Sequence, residues 1–200
     1  MRLIAPSKAE TVLLEPFRGL PLECIHVSKT PEAIEQAGRE IMAAGLAGFD
    51  TESKPTFNIG EKSSGPHVVQ FALRDKAFIF QLHLPECRSV VSGLLQSERV
   101  QKVGFGLKND RGQIQSRLGV PLRAVLDLDQ IFRKQGYNRQ IGVRAAVGAV
   151  FKESFPKSKR VTTSNWAAAD LTPRQLLYAA NDAFAALRIM EALKLSGEIS

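Results

Sequence analysis

The stretch Leu46-Ala47-Gly48-Phe49-Asp50-Thr51-Glu52 constrains the fold more than any other part of this sequence. It begins as an apolar strand and ends in two acidic residues, Asp50 and Glu52. Because side chains alternate along an extended strand, the two carboxylates project from the same face. Paired carboxylates pack poorly in a hydrophobic core and are suitable ligands for a divalent cation. The stretch therefore predicts a buried strand with a candidate metal site at its end.

An acid-x-acid pair by itself is weak evidence for a metal site. The chain contains 20 acidic residues in 200, and it has a second such pair, Asp127 and Asp129. A solvated strand end is the simpler interpretation of an isolated pair. A metal site therefore requires other residues that converge on the same strand end.

Length and composition favour one soluble domain. Two hundred residues can bury a substantial core, and the hydrophobic fraction of 44% is ordinary for a globular protein. Apolar runs are far shorter than the roughly 18 residues of a membrane span, and the N-terminal one is too short for a signal peptide. Cys24 and Cys87 make neither a disulfide framework nor a zinc site. We therefore expect a cytoplasmic protein with no membrane contact.

The net charge of +7 is unevenly distributed. Residues 101–165 carry 13 Lys and Arg against 4 Asp and Glu, whereas the remaining residues carry 14 against 16. A basic segment in a near-neutral scaffold indicates a polyanionic partner. A basic surface that only promotes solubility is the alternative.

Turn residues and hydrophobic periodicity divide the first half of the chain. Residues 1–21 show no clear period, so we expect an N-terminal arm before a domain at 22–200. Strands are predicted at 24–27, 46–52, 67–73 and 77–82, and helices at 31–44 and 88–95. The turn at 74–76 favours three antiparallel strands beginning with 46–52, and the loop at 53–66 leaves directly from the two carboxylates.

From residue 88 onward strands and helices alternate, which predicts parallel strands joined by helical crossovers. We expect strands at 101–104 and 124–128, and helices from about 109, at 128–135, at 141–151 and from 172 to about 195. A basic loop occupies residues 152–165. Thr172, Pro173 and Gln175 form a strong helix start with a capping box.

The last predicted helix contains Tyr178 and Asp182, four residues apart and therefore on one helical face. Asp182 lies close to the apolar face that packs on the sheet. Since an unpaired buried charge is costly, this carboxylate needs a partner. Either a cation shared with Asp50 and Glu52 or an arginine such as Arg188 can provide it.

These residues, in this order, resemble the DEDD superfamily of 3′–5′ exonucleases, in its tyrosine-containing branch. The first motif resembles Gly48-Phe49-Asp50-x-Glu52, and the strand after it resembles Val69-Gln70-Phe71. The second motif resembles Lys102-Val103-Gly104 with Asn109-Asp110. The third motif resembles Ser164-Asn165-Trp166 with Leu177-Tyr178-Ala179-Ala180-Asn181-Asp182-Ala183. The similarity covers about residues 22–195. Within the superfamily the chain resembles the Werner-syndrome-protein exonuclease domain and ribonuclease D.

The resemblance implies an α/β, RNase H-like (DnaQ-like exonuclease) fold with a mixed five- or six-stranded sheet and helices on both faces. It implies hydrolysis of DNA or RNA from a free 3′ end, releasing nucleoside 5′-monophosphates. The family's two divalent cations, Mg²⁺ or Mn²⁺, suit hard carboxylate ligands. The helical domains of ribonuclease D and the helicase of the Werner protein have no counterpart in this sequence, so substrate choice does not carry over.

The resemblance also assigns roles to five residues. Asp50 is expected to bridge both ions, Glu52 and Asp182 to complete the site that activates water, and Asp110 to hold the second ion. Tyr178 is expected to hydrogen-bond and align the attacking water; a tyrosine packed at the sheet edge is the alternative.

Candidate nucleic-acid contacts are Phe57, Asn109, Lys157, Lys159 and Arg160. Phe57 can wedge against a terminal base or simply pack, Asn109 can contact substrate or cap its helix, and the three basic residues can bind phosphate or remain solvated. Trp166 is expected to anchor the core.

A non-catalytic nucleic-acid-binding module on the same fold is the alternative function, although four carboxylates repel phosphate unless metal ions cover them. The oligomeric state does not follow from the sequence.

Overall fold

The computed structural model describes residues 3–56, 60, 63–137 and 140–195 of the chain. Within these residues the strands are Ile25–Val27 (β1), Leu46–Glu52 (β2), Val68–Ala72 (β3), Ala77–Gln81 (β4), Gln101–Gly104 (β5) and Val125–Asp127 (β6). The helices are Lys8–Thr11 (α1), Pro31–Ala44 (α2), Pro85–Gln96 (α3), Lys108–Leu118 (α4), Leu128–Lys134 (α5), Val143–Val150 (α6), Lys159–Thr162 (α7) and Pro173–Leu195 (α8). None of the described helices is both long and apolar enough to cross a membrane.

The six strands form one mixed sheet in the order β1-β4-β3-β2-β5-β6. β2, β3 and β4 pair antiparallel, as expected, with Asp50 opposite Gln70. β5 pairs parallel with β2, and β6 pairs parallel with β5, which confirms the helical crossovers. Because β2, β5 and β6 run in one direction, their carboxyl ends meet at the same edge of the sheet.

Helices cover both faces of the sheet, as the resemblance implied. On one face α2 and α3 pack on apolar side chains from β2, β3 and β4, among them Phe49, Phe71 and Phe80. α8 crosses the other face, where a side chain at Gly48 would collide with the carbonyl oxygen of Ala183. This close approach of backbone to helix brings the middle of α8 directly against β2.

The predicted helix signals are confirmed. Thr30 caps α2, and Gly45 ends it in a left-handed conformation. Thr172 and Gln175 form the capping box before α8, and Trp166 is buried in the core. The start predicted for α3, residue 88, is wrong by about one turn. The helix begins at Pro85, where the proline occupies the first helical position.

Two segments have more structure than the sequence predicts. The basic loop at 152–165 contains the short helix α7. The N-terminal arm contains α1, whose Ser7 forms a capping box with Glu10, and the arm's Pro16 forms a β-bridge with Ser154. The boundary between the arm at 1–21 and the domain at 22–200 stays a prediction.

Candidate active site

Three of the predicted carboxylates converge at the carboxyl end of β2. Asp50 and Glu52 project from the strand face that α8 covers, and Asp182 reaches them from the middle of that helix. One oxygen from each of the three lies within 4.8 Å of the others. Glu52 and Asp182 are 8% and 4% exposed, so the cluster is largely removed from water.

Burial makes this cluster unfavourable in its fully ionised form. Burial, followed by the charges of Asp110 and Asp182, raises the pKa of Asp50 well above its ordinary range. Burial and the charges of Asp50 and Asp182 raise the pKa of Glu52 to about 9. The three carboxylates therefore need cations or protons between them, which an ordinary solvated strand end does not.

Lys157 forms an ion pair with the cluster. Its Nζ lies 2.6 Å from Asp182 Oδ2 and 5.4 Å from the centre of the Tyr178 ring. Burial lowers the pKa of Lys157, but the negative charges around it outweigh burial and raise the pKa overall. The alternative expectation, that Arg188 is the partner of Asp182, is wrong, because Arg188 pairs with Glu191.

Asp110 lies beside the three-carboxylate group rather than inside it. It occupies the first turn of α4, and its carboxylate accepts a hydrogen bond from the hydroxyl of Thr51, which stands between Asp50 and Glu52. Burial raises the pKa of Asp110, and the hydrogen bond from Thr51 opposes part of that rise. The fourth predicted ligand is thus tied to the strand that carries the first two.

The cluster fits a hard divalent cation. Asp182 Oδ1 is buried and receives no hydrogen bond from any residue that the structure describes. A buried carboxylate oxygen without a partner is costly, and a divalent cation is a suitable partner for it. Carboxylates alone, without cysteine or histidine, favour Mg²⁺ or Mn²⁺ over softer metals.

A family model described as 3′-5′ exonuclease matches residues 25–198. The chain belongs to the 3′–5′ exonuclease family. It is 26% identical over 161 residues to a 3′-5′ exonuclease of Arabidopsis thaliana, covering 78% of this chain and 55% of that protein. It is 26% identical over 157 residues to the bifunctional 3′-5′ exonuclease/ATP-dependent helicase WRN of Mus musculus, covering 76% of this chain and 11% of that protein. The chain thus spans little more than half of one relative and about a tenth of the other.

Solved structures share the fold. The EXO domain of Aedes aegypti Nibbler superposes with a TM-score of 0.73 at 22% identity, covering 88% of this chain and 89% of that one. Trypanosoma brucei RNase D in complex with RNA U12 superposes with a TM-score of 0.74 at 22% identity, covering 84% and 62%. The RNase H-like fold and the resemblance to WRN and ribonuclease D are confirmed.

Tyr178 of this exonuclease-family chain stands one helical turn before Asp182, with its hydroxyl 2.8 Å from the Thr162 hydroxyl in α7. Burial and the charge of Asp182 raise the pKa of Tyr178. The phenol is therefore held protonated at neutral pH. Thr162 fixes its position, although nothing in the sequence pattern singled this threonine out.

The predicted nucleic-acid contacts do not all face solvent. Lys159 and Arg160 are exposed on α7, while Lys157 points inward to Asp182. Asn109 is exposed, and the expectation that it caps α4 is wrong, since Leu107 occupies the cap without a side-chain hydrogen bond. Phe57 lies outside the described residues.

The second acid-x-acid pair has a structural role. Asp127 accepts hydrogen bonds from the backbone N–H groups of Gly106 and Leu107 at 2.9 and 3.0 Å. Asp129 accepts the Ile141 N–H at 2.9 Å and pairs with Arg133. Neighbouring protein groups satisfy both carboxylates, whereas at Asp182 they satisfy Oδ2 but not Oδ1.

Gln70, in the strand that resembles the one after the first motif, is a buried residue near the site to which the sequence assigned no role. It stands opposite Asp50 in the β2–β3 register and is 0% exposed. Neither its amide oxygen nor its amide nitrogen has a hydrogen-bond partner among the described residues. An unsatisfied amide beside the carboxylates is a local cost of building the site.

Proposed function

We propose that this chain hydrolyses nucleic acid from a free 3′ end, one nucleotide at a time. The observation that carries the proposal is the convergence of Asp50, Glu52 and Asp182, with a buried, partnerless oxygen on Asp182. At Asp129, by contrast, one oxygen accepts the Ile141 N–H and the other pairs with Arg133, so neither oxygen is left without a partner. Family membership supports the same reaction class.

The carboxylates would hold two divalent cations, Mg²⁺ or Mn²⁺. Asp50 would bridge them, Glu52 and Asp182 would complete one site, and Asp110 would complete the other. Bound ions of this kind supply charge neutralisation at the attacking and leaving oxygens of a phosphodiester and acidify a bound water. Without that neutralisation the four acidic residues would repel the phosphate.

The remaining chemistry belongs to the chain's own side chains. The protonated Tyr178 hydroxyl, which contacts the Thr162 hydroxyl, would orient an attacking water held near Asp182. The water oxygen bonds to phosphorus while the bond from phosphorus to the 3′ oxygen breaks. The leaving oxygen takes a proton, so the products are a nucleoside 5′-monophosphate and a strand with a new 3′ hydroxyl.

The experiment uses 5′-labelled DNA and RNA strands with Mg²⁺, Mn²⁺ or EDTA. We expect a ladder of products shortened from the 3′ end with either cation and none in EDTA. A 3′-phosphate should block shortening, and a circular strand should resist it. Efficient cutting of the circle would contradict an exonuclease, and binding without cleavage of any strand would establish the non-catalytic module instead.

A further inference from the structure

We propose that Gln70 is a positioning residue of the metal site, whose amide nitrogen donates a hydrogen bond to the Asp50 carboxylate as that carboxylate bridges the cations. The proposal rests on the proposed function and adds a residue to its site. Gln70 lies on β3, an interior strand of the sheet, and its side chain is fully buried. It acts on the ions through Asp50 rather than by touching them.

The strand register places Gln70 beside the carboxylates. Gln70 is the partner of Asp50 in the antiparallel pair of β2 and β3. Directly opposite residues in such a pair project from the same face, with their Cβ atoms about 4.5–5.5 Å apart. Val68 and Ala72, two positions away on either side, belong to the apolar cluster at α8, so Gln70 faces this helix too. The amide therefore lies under the helix that carries Asp182.

Protein groups leave this part of the molecule short of hydrogen bonds. Among the described residues, the buried side-chain atoms that lack a hydrogen-bond partner are both amide atoms of Gln70 and Asp182 Oδ1. All three lie where β2, β3 and α8 meet. Buried amides normally find partners, as Gln81 does on the next strand. The concentration of unsatisfied atoms at one place indicates groups that a bound ligand satisfies, directly or through Asp50.

The Asp50 carboxylate has a position available for this amide. Its Oδ1 accepts the Thr51 N–H at 2.9 Å, and its Oδ2 has no hydrogen bond with a described residue. An ionised carboxylate offers about four acceptor positions on its two oxygens. If each oxygen binds one ion, each keeps a further position, which Thr51 fills at Oδ1 and Gln70 fills at Oδ2. Because the carboxylate can only accept, the amide nitrogen is the group that turns toward it.

This hydrogen bond fixes the orientation of the bridging carboxylate. A carboxylate that is held at both oxygens loses less rotational freedom when the ions bind. Groups that hydrogen-bond metal ligands in this way typically change metal affinity or activity by about 10–100-fold when they are replaced. Since protein groups alone leave the Gln70 amide unsatisfied, its bond to Asp50 adds to the affinity for the ions and not to the stability of the fold.

The test is a Mn²⁺ titration of the chain without nucleic acid, followed by electron paramagnetic resonance. Gln70→Leu and Gln70→Met both remove the amide, and methionine keeps the length of the glutamine side chain. Both variants should bind Mn²⁺ about 10–100-fold more weakly than the native chain. Urea unfolding in EDTA should show no loss of stability in either variant, which separates a positioning role from a structural one.

Gln81→Leu is the matched control, because Gln81 is also a buried glutamine on the α8 face, opposite Val68, but its amide donates to the Ala168 carbonyl at 2.9 Å. This variant should lose stability and keep the native Mn²⁺ affinity. Native affinity in both Gln70 variants, or an equal loss of affinity in Gln81→Leu, would overturn the positioning role. If the native chain binds Mn²⁺ and shortens strands while the Gln70 variants match its affinity, only this role fails; if the native chain does neither, the proposed function fails.

Discussion

The Lys157 ammonium lies 2.6 Å from Asp182 Oδ2, against a carboxylate that we propose as a metal ligand. A cation of the protein itself thus partly neutralises the cluster. Any divalent ion that binds Asp182 must share that oxygen with Lys157 or displace the ammonium. Metal binding and the position of this lysine are therefore coupled.

Replacing Lys157 with Met should tighten Mn²⁺ binding in the absence of nucleic acid, because the ion no longer competes with the ammonium. In EDTA the variant should melt at a lower temperature, since Asp182 stays buried without its charged partner. Mn²⁺ should then raise the melting temperature more than in the native chain. Electron paramagnetic resonance and thermal melts measure these effects.

Lys29→Met is the control for Lys157, because Lys29 pairs with Asp170 at 2.5 Å on the exposed surface. Exposed pairs contribute about 0–1 kcal/mol, so this change should alter neither metal affinity nor stability appreciably. Equal Mn²⁺ affinity in Lys157→Met and the native chain would show that the lysine does not compete with the ion.

Tyr178→Phe should lower kcat by about 10²–10⁴-fold and change KM little, because the missing hydroxyl matters mainly as water attacks. Thr162→Val should lower kcat less, since it removes only the group that positions the phenol. Mn²⁺ affinity should stay the same in both variants. If both variants lose stability but keep full turnover, the Tyr178–Thr162 hydrogen bond is structural and Tyr178 takes no part in hydrolysis.

Gln70→Leu should stabilise the metal-free chain by about 1–2 kcal/mol, because it removes a buried amide with no described partner. Gln81→Leu on the next strand should have the opposite effect, since the Gln81 amide donates to the Ala168 carbonyl at 2.9 Å. Urea unfolding in EDTA measures both. A loss of stability at Gln70 as large as that at Gln81 would contradict the assignment of an unsatisfied amide.

Lys102 should make stability depend on pH. It is fully buried on β5, where Nζ donates to the carbonyls of Leu94 and Ser97, and burial lowers its pKa to about 8 from an ordinary 10.5. Between these values the unfolded chain binds more protons, so this residue's contribution to the unfolding free energy rises with pH.

Between about pH 8 and pH 10.5 the unfolding free energy of the native chain should therefore rise by about 1–3 kcal/mol relative to that of Lys102→Met. One pKa unit corresponds to about 1.4 kcal/mol. Urea unfolding of both proteins at the two ends of this window gives the difference, in which other titrating groups cancel. A difference that is constant or falls with pH would contradict a depressed lysine pKa.

Local signals in the sequence were sufficient for most of the fold. The Thr30 cap, the left-handed Gly45 and the Thr172 capping box act within one helical turn, so their effects do not depend on distant residues. Periodicity placed Asp50 with Glu52 and Tyr178 with Asp182, and the resemblance to 3′–5′ exonucleases predicted that the two pairs meet.

Contacts between distant segments were not predictable in the same way. The pairing of Lys157 with Asp182 depends on where a loop without regular period folds back over α8. The arm resembled an unstructured tail because its order comes from Asn181 and Ser154, far away in the sequence. The expected cap at Asn109 failed because the turn before α4 is held from β6, by Asp127.

The most direct test of the two-cation site is the rate of 3′ shortening by Asp50→Asn over a full Mg²⁺ titration. Asp50 is the residue proposed to bridge both ions, so the variant should stay folded and lose activity at every Mg²⁺ concentration. Asp170→Asn, which alters an exposed carboxylate, should retain the native rate. Near-native shortening by Asp50→Asn at saturating Mg²⁺ would contradict the account.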